Sequence, residues 1–395
     1  MPQHADLFLR KGAERRLRAG HLWVFSNEVD TARSPLAAFA AGDCASVRAS
    51  NGALLGSVYL EPNSLICARL YAPGREAQLG TELPAALANA LATRQLAFEQ
   101  PYYRLVYGDS DLLPGLVVDR FGNYLVVQFN NAGIERYERE IIAALVALLA
   151  PAGILLRADS RNRREQGLED RVAVVHGEVP EQLALEENGV RFLAPVHAGQ
   201  KTGWFYDHRM ARARLAPYVK GRDVLDVYSY IGGWGIQAAA FGASSVCCLD
   251  SSATALDGVD VNARQNGVQD RVTTLQGSAA EAMEALVAEG RRFGVVILDP
   301  PAFIQRKRDI KKGIKAYQRI NGLGLKLLAP GGVLVSGSCS MHLERADLVA
   351  AVQAAAVRAN RQVRLIEQGA QGADHPIHPA ILETEYLKAL FFRVV

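Results

Sequence analysis

The apolar residues of this chain change their spacing twice along its 395 positions. Up to about residue 73 they alternate with polar ones in short runs, the two-residue period of half-buried strands. The runs "CASVRAS" and "ALLGSVYLEP" meet at Asn51-Gly52, a pair that favours a two-residue type I′ hairpin. Leu22 to Phe25 and "SLICARLYAPG" read as further strands, the second stopped by Pro73-Gly74. A small β-barrel fits residues 1–73. Over 74–190 the period switches back and forth. "LPAALANALATRQLAFE" is an Ala/Leu-rich helix, "RYEREIIAALVALLAPAG" an amphipathic one, and "YRLVYGDSDLLPGLVVDRFGNYLVVQF" holds a strand and a hairpin through Phe121-Gly122-Asn123. That is an α+β module. Over 191–395 strand and helix patterns alternate regularly, which predicts a doubly wound, mostly parallel α/β sheet of Rossmann-like type.

Composition narrows the class. Charged residues make up 22% and hydrophobic ones 49%, so the chain is globular. A net charge of +3 neither demands nor excludes nucleic acid, and local clustering has to decide. Five cysteines (Cys44, Cys67, Cys247, Cys248, Cys339) show no metal-ligand spacing and fit a reducing cytoplasm. No apolar run reaches the roughly 18 residues of a membrane span, and no signal-peptide pattern opens the sequence.

Candidate chemistry gathers at the ends of the predicted α/β strands. Asp226 ends the first, and Gly232, Gly233 and Gly235 form the turn after it, where glycine lets a cofactor approach the backbone. The spacing is not the dinucleotide GxGxxG. Asp250 ends the second strand, where a carboxylate can accept both ribose hydroxyls. Together they suit an adenosine-type ligand without phosphate, S-adenosylmethionine (SAM). Asp299 follows "VVIL" and precedes Pro300-Pro301, which must end the strand because proline cannot donate to a ladder. Cys339 sits in "LVSGSCSMHL", at the end of another strand.

The residues Asp226-x-Tyr-Ser-Tyr-x-Gly-Gly, Asp250, Asp-Pro-Pro-x-Phe-x-x-x-Lys ending at Lys307, Tyr317, Asn321 and Ser-Cys-Ser resemble the SAM-dependent large-subunit ribosomal-RNA cytosine-C5 methyltransferases with an N-terminal PUA domain. "GHLWVFS" (20–26), "LLPGLVVDR" (112–120), "HAGQKTGWFYDHR" (197–209), "ADHP" (373–376) and "YLKALFFRVV" (386–395) extend the resemblance over essentially the whole chain. It implies a PUA-like RNA-binding domain at 1–73, a central domain at 74–190 and a class I methyltransferase domain at 191–395. It also implies SAM as cofactor, held by Gln200, the Thr202-Gly203 step, Asp226, Tyr228, Ser229, Gly232, Gly233, Asp250, Ser278 and Asp299. Ser278 is a departure, since family members usually carry an acidic residue there to contact the adenine amino group. A serine hydroxyl can accept the same hydrogen bond.

The implied reaction forms 5-methylcytosine in large-subunit (23S) ribosomal RNA. A thiolate adds to C6 of cytosine and makes C5 nucleophilic enough to take a methyl group. Cys339 is the implied nucleophile and Asp299 the group that meets charge at N3 and N4. Lys307 or another nearby cation lowers the thiol's proton affinity. The base that removes the C5 proton stays open between Asp299 and a water. Two readings compete: methylation of a purine nitrogen through Asp-Pro-Pro-Phe without covalent catalysis, and a non-catalytic RNA-binding assembly factor.

RNA would meet basic clusters. Residues 305–319 carry seven Lys or Arg against one Asp, including Lys311, Lys312 and Lys315. Residues 157–165 and the N-terminal group of Arg10, Lys11, Arg15, Arg16 and Arg18 are further candidates, and Phe303 is placed to stack on a flipped base. The partner is ribosomal RNA, no membrane is called for, and homodimer formation is left open.

Overall fold

The computed structural model describes residues 5–159, 163 and 168–395. Two compact units emerge: 1–183 with 195–204 and 373–384, and 184–194 with 205–372 and 385–395.

The first unit holds two five-stranded sheets. Strands β1 (Ala5–Phe8), β2 (Trp23–Phe25), β3 (Cys44–Arg48), β4 (Leu54–Leu60) and β5 (Ile66–Pro73) run in the order β1-β3-β4-β5-β2. Their core is Leu7, Leu9, Leu22, Val24, Val47, Val58 and Leu70. The β3–β4 turn differs from the predicted type I′. The Gly52 N–H donates to the Ala49 carbonyl, Gly52 alone is left-handed at φ 87°, and the register slips between Val47 and Arg48. This is a longer turn closed by a glycine bulge, because Asn51 keeps a negative φ and spends its side chain on the Ala53 N–H.

The second sheet joins β6 (Tyr102–Tyr107), β7 (Leu116–Phe121), β8 (Tyr124–Phe129), β9 (Gly153–Ala158) and β10 (Arg171–Gly177) in the order β10-β9-β8-β7-β6. Helices Leu79–Ala97 and Glu138–Leu149 bury Leu83, Leu87, Ile141 and Leu145 into its core. The first helix starts ahead of the predicted run and takes Pro84 inside it.

A two-stranded hairpin, β11 (Gln182–Glu187) and β12 (Val190–Pro195), forms a separate sheet.

The second unit is built on seven strands: β13 (Asp223–Val227), β14 (Ser245–Asp250), β15 (Val272–Gln276), β16 (Phe293–Leu298), β17 (Leu328–Ser338), β18 (Val363–Gly369) and β19 (Lys388–Val394). Their order is β15-β14-β13-β16-β17-β19-β18. Neighbours from β15 to β17 are parallel, and β19 runs antiparallel between β17 and β18. The order reverses at β13, so β13 and β16 form the switch point where such sheets bind ligands at their carboxyl ends. One face of these strands packs under helices: Leu225, Val227, Val296 and Leu298 cluster with Leu325, Leu348 and Val352. Among the described residues no helix is long and apolar enough to cross a membrane.

Candidate active site

β13 delivers Asp226 to the switch point, fully buried, in register with Cys248 and Ile297. Its Oδ2 accepts the Gly235 N–H at 2.8 Å, and its Oδ1 has no protein partner. Burial pushes this carboxyl up to about 8. A side chain at Gly235 would put its Cβ 2.5 Å from the Cys248 sulfur, so glycine is required there for packing. The turn that follows is strained: Tyr228 and Tyr230 are left-handed at φ 66° and 49°. Strain of this kind, about 1–3 kcal/mol per residue, gathers at functional sites and needs outside support. Here the Tyr228 and Ser229 N–H groups both donate to the Leu249 carbonyl, and Asn262 donates to the Ile231 carbonyl at 3.0 Å. Ser229 is buried and its hydroxyl has no protein partner.

Asp250 ends β14 half-buried. Its two oxygens take the Tyr230 N–H (2.9 Å) and the Ser252 N–H (3.0 Å). A carboxylate has about four lone-pair positions, so both oxygens keep capacity for hydroxyl groups.

Asp299 ends β16. Its Oδ2 accepts the Trp234 indole N–H at 3.0 Å and its Oδ1 lies 3.2 Å from His208 Nε2. Burial alone would raise this carboxyl, but the His208 charge and these two bonds bring it below its ordinary value. Burial likewise works against a charged His208, and Asp299 more than reverses that, so the imidazole is held above its usual value. Gly337 on β17 makes this approach geometrically feasible, because a Cβ there would lie 3.0 Å from Asp299 Oδ1.

Cys339 follows β17, half-buried, one strand over from Asp299. The hydroxyl of Tyr317, on helix Ile310–Leu327, bridges Ser338 Oγ (2.8 Å) and Ser340 Oγ (2.9 Å). Ser340 also accepts the Ile304 N–H, tying the loop after Asp-Pro-Pro to the cysteine loop, and Phe303 packs on Tyr317 with ring centres 4.9 Å apart. Lys388 reaches in from β19, its Nζ donating to the carbonyls of Ser340 (2.8 Å) and Leu343 (2.7 Å).

The strand-end residues thus converge: Asp226, Tyr228, Ser229, Gly232, Gly233, Asp250, Asp299 and Cys339 all lie at the carboxyl edge of one sheet. Other expectations fare differently. Lys307 stands exposed on the turn Lys307–Asp309, whereas the cation buried against the cysteine loop is Lys388. Ser278 is exposed at the start of helix Ala279–Ala288. Gln200 and Thr202 fall in the first unit, where the Thr202 hydroxyl donates to Asp119 at 2.5 Å and is spent on the fold. The second half of "HAGQKTGWFYDHR" belongs to the sheet edge, with the Phe205 ring edge-on to Tyr230 at 5.6 Å.

Lys311, Lys312 and Lys315 are exposed on one helix, and Arg15 is exposed. Arg16 is committed to Glu28 through two 2.9 Å bonds. In the 157–165 cluster, Arg157 is buried against the Val196 and Gly199 carbonyls and Arg163 against Glu135, so both are structural; 160–162 and 164–165 lie outside the described residues. Cys67, Cys247 and Cys248 are packed thiols pushed up by burial, and Cys44 lies against the Tyr137 hydroxyl.

Sequence reading missed His208, Trp234, Asn262 and Lys388. For Lys388 a signal was present: one lysine inside the apolar strand "YLKALFF".

The family described as S-adenosylmethionine-dependent methyltransferase matches residues 126–393. The chain belongs to that family. A PUA-like domain matches residues 7–73 of this methyltransferase. It is 34% identical to the Ribosomal RNA large subunit methyltransferase I of Aliivibrio fischeri, over 99% of each chain. With the protein of the same name from Shewanella frigidimarina it shares 36% identity, over 98% of each. A solved SAM-dependent methyltransferase from Streptococcus mutans, 18% identical, has the same fold at a TM-score of 0.83, over 98% of this chain and 100% of that one. A second solved methyltransferase, complexed with SAH, matches at a TM-score of 0.85. The cofactor of this methyltransferase is SAM, and the edge residues fit it. The unpartnered Ser229 hydroxyl and Asp226 Oδ1 can meet a polar ligand, and Asp250 can meet a ribose diol.

Proposed function

We propose that this methyltransferase forms 5-methylcytosine in large-subunit (23S) ribosomal RNA, with Cys339 as the covalent nucleophile. The observation that carries the reading is the clamp on Cys339: Ser338 and Ser340 on either side are both bonded to Tyr317, one strand from Asp299. A core cysteine needs no such positioning. The names of the relatives support ribosomal RNA as the substrate.

SAM supplies an electrophilic methyl group. In this reading Asp250 holds the ribose hydroxyls, the Tyr228–Gly233 turn accommodates the rest of the cofactor, and Asp299 marks the border between cofactor and base. The Cys339 thiolate adds to C6 of the cytosine, and the electron density it pushes into the ring makes C5 nucleophilic. Asp299 accepts a hydrogen bond from the N4 amino group. The proton shared by His208 and Asp299 opposes the negative charge that develops at N3. After C5 takes the methyl group, a base, Asp299 or a water, takes the C5 proton, and that bonding pair re-forms the C5–C6 double bond and expels the Cys339 thiolate. The exposed Lys311, Lys312 and Lys315 contact RNA phosphates beside this edge, and Arg15 does so in the PUA-like domain. The setting is the cytoplasm, where ribosomal RNA is processed.

RNA containing 5-fluorocytidine tests the reading, because fluorine cannot leave as a proton. Wild-type protein should form a covalent complex stable to denaturation, and Cys339→Ser, nearly isosteric, should fold and bind SAM yet neither be trapped nor transfer methyl at a measurable rate. A Cys339→Ser protein that methylates at the wild-type rate sinks the covalent mechanism and favours nitrogen methylation.

A further inference from the structure

Strand β19 brings one cation into the apolar sheet. Lys388 is buried and pairs with Ser338 in the β17–β19 register. An ammonium taken out of water needs both hydrogen-bond acceptors and a counter-charge. The Ser340 and Leu343 carbonyls give it acceptors at 2.8 and 2.7 Å, but both are neutral.

Three ionisable groups act on its charge, and a fourth, Tyr317 on helix Ile310–Leu327, bonds the Ser340 whose carbonyl it holds. Cys339 lies at the end of β17. Glu385 lies just before β19, and Arg345 opens helix Arg345–Arg358. Asp299 stands across Gly337 and is engaged by His208 and Trp234. Tyr317 is bonded to both serines, and burial pushes its hydroxyl up, so it stays neutral. Glu385 is half-exposed and lies 3.4 Å from Arg345. Among the described residues this leaves Cys339, half-buried, as the group whose ionisation gives Lys388 a nearby counter-charge, with the ammonium held on the backbone immediately beyond it.

We propose that Lys388 stabilises the Cys339 thiolate and so positions the nucleophile in its reactive form. The Cys339 S–H bond gives its proton to solvent, the electron pair stays on sulfur, and Lys388 keeps its own proton. What the thiolate is for rests on the cytosine reading; the pairing does not. Burial pushes Lys388 down to about 8 even though a negative charge on Cys339 opposes that fall. The two charges therefore support each other near neutral pH. A lysine that only pinned the loop would leave the thiol's titration unchanged.

The test is alkylation of Cys339 by iodoacetamide as a function of pH in the full-length protein, followed on the peptide that contains it. Lys388→Gln keeps a hydrogen-bond donor and loses the charge. Its alkylation midpoint should rise by about one pH unit or more, which lowers the rate at pH 7 about tenfold, since the thiolate fraction falls tenfold per unit. Lys388→Arg should stay near wild type. An unchanged midpoint in a folded Lys388→Gln protein overturns the proposal. The reciprocal measurement covers a Gln variant that does not fold: by NMR of 13C-labelled lysine, Lys388 should titrate lower in Cys339→Ser than in wild type, and equal midpoints overturn it. Alkylation uses neither RNA nor SAM. A failure of the cytosine reading, seen as absent 5-fluorocytidine trapping, leaves this result standing.

Discussion

The central sheet of the first unit and the carboxyl edge of the seven-stranded sheet both bury polar groups, and they treat them oppositely. In the first unit Arg94 forks onto Asp111 (2.5 and 2.8 Å) and also bonds the Arg104 and Asp374 carbonyls. Arg104 forks onto Asp119 (2.8 Å twice), whose Oδ2 takes the Thr202 hydroxyl as well. These charges are closed against each other; the Arg69 Nε and Ser110 Oγ atoms are exceptions. Along the sheet edge Asp226 Oδ1, Ser229 Oγ, Ser336 Oγ and His208 Nδ1 are buried without a protein partner. A polar atom buried without a partner costs about 1–3 kcal/mol. A closed network spends its groups on the fold, while an open one bears that cost and keeps groups for something that is not protein.

The sharpest way to break this comparison is to open a closed pair. Asp119→Ala removes the buried carboxylate that Arg104 and Thr202 share. It should destabilise the protein by about 3–5 kcal/mol, the usual cost of breaking a buried ion pair by removing one partner. Urea unfolding would read it, and a loss under about 1 kcal/mol would mean the closed pairs are not structural. Next in size, Asp250→Ala at the open edge should leave the unfolding midpoint nearly unchanged and weaken SAM by about 1.5–3 kcal/mol, the range for hydrogen bonds to a charged group. Calorimetry on the folded variant decides, and unchanged affinity removes Asp250 from the site.

The smallest effect probes an ion pair at the open edge, His208 Nε2 with Asp299. A raised histidine stabilises the fold most below its unfolded value near 6.5 and loses that contribution as pH rises through its folded value. A lowered aspartate stabilises above its unfolded value near 3.9 and loses it as pH falls through its folded value. Both contributions are present together between about pH 4 and 6.5. His208→Gln should therefore cost most stability near pH 5–6, with the gap to wild type narrowing towards pH 9. A pH-independent difference in melting temperature would show that the pair is neutral.

How much of this was legible follows from where each signal lives. Strands β13, β14, β16 and β17 show in the sequence because each carries an apolar run that leads on to a helix, whereas β15, "VTTLQ", carries none; Asp226, Asp250 and Asp299 stand out as the charges at the ends of those runs. Cys339 showed for the same reason, one step beyond β17. What did not show are contacts set by tertiary pairing. Lys307 lies in an obvious basic run and turns out solvated, while Lys388 was hidden because its partner strand is set by the antiparallel insertion of β19. Thr202 sits in a motif that resembles a cofactor loop, yet a carboxylate on β7 claims it. The Asn51-Gly52 turn misled because a favoured dipeptide does not fix loop length when the flanking register can slip.

The position of β19 also sets an order of events during synthesis. β17 bonds to β16 on one side and waits for β19 on the other, and fifty residues separate Ser338 from its partner Lys388. At roughly 5–20 residues per second, the ribosome needs about 3–10 seconds to make that stretch. Throughout that time the nascent chain has made Cys339 but not the ammonium that holds the loop after it, and β17 presents an unpaired edge. The growing protein therefore carries Cys339 in a loop that Lys388 has not yet fastened, and the arrival of β19 decides when that loop closes.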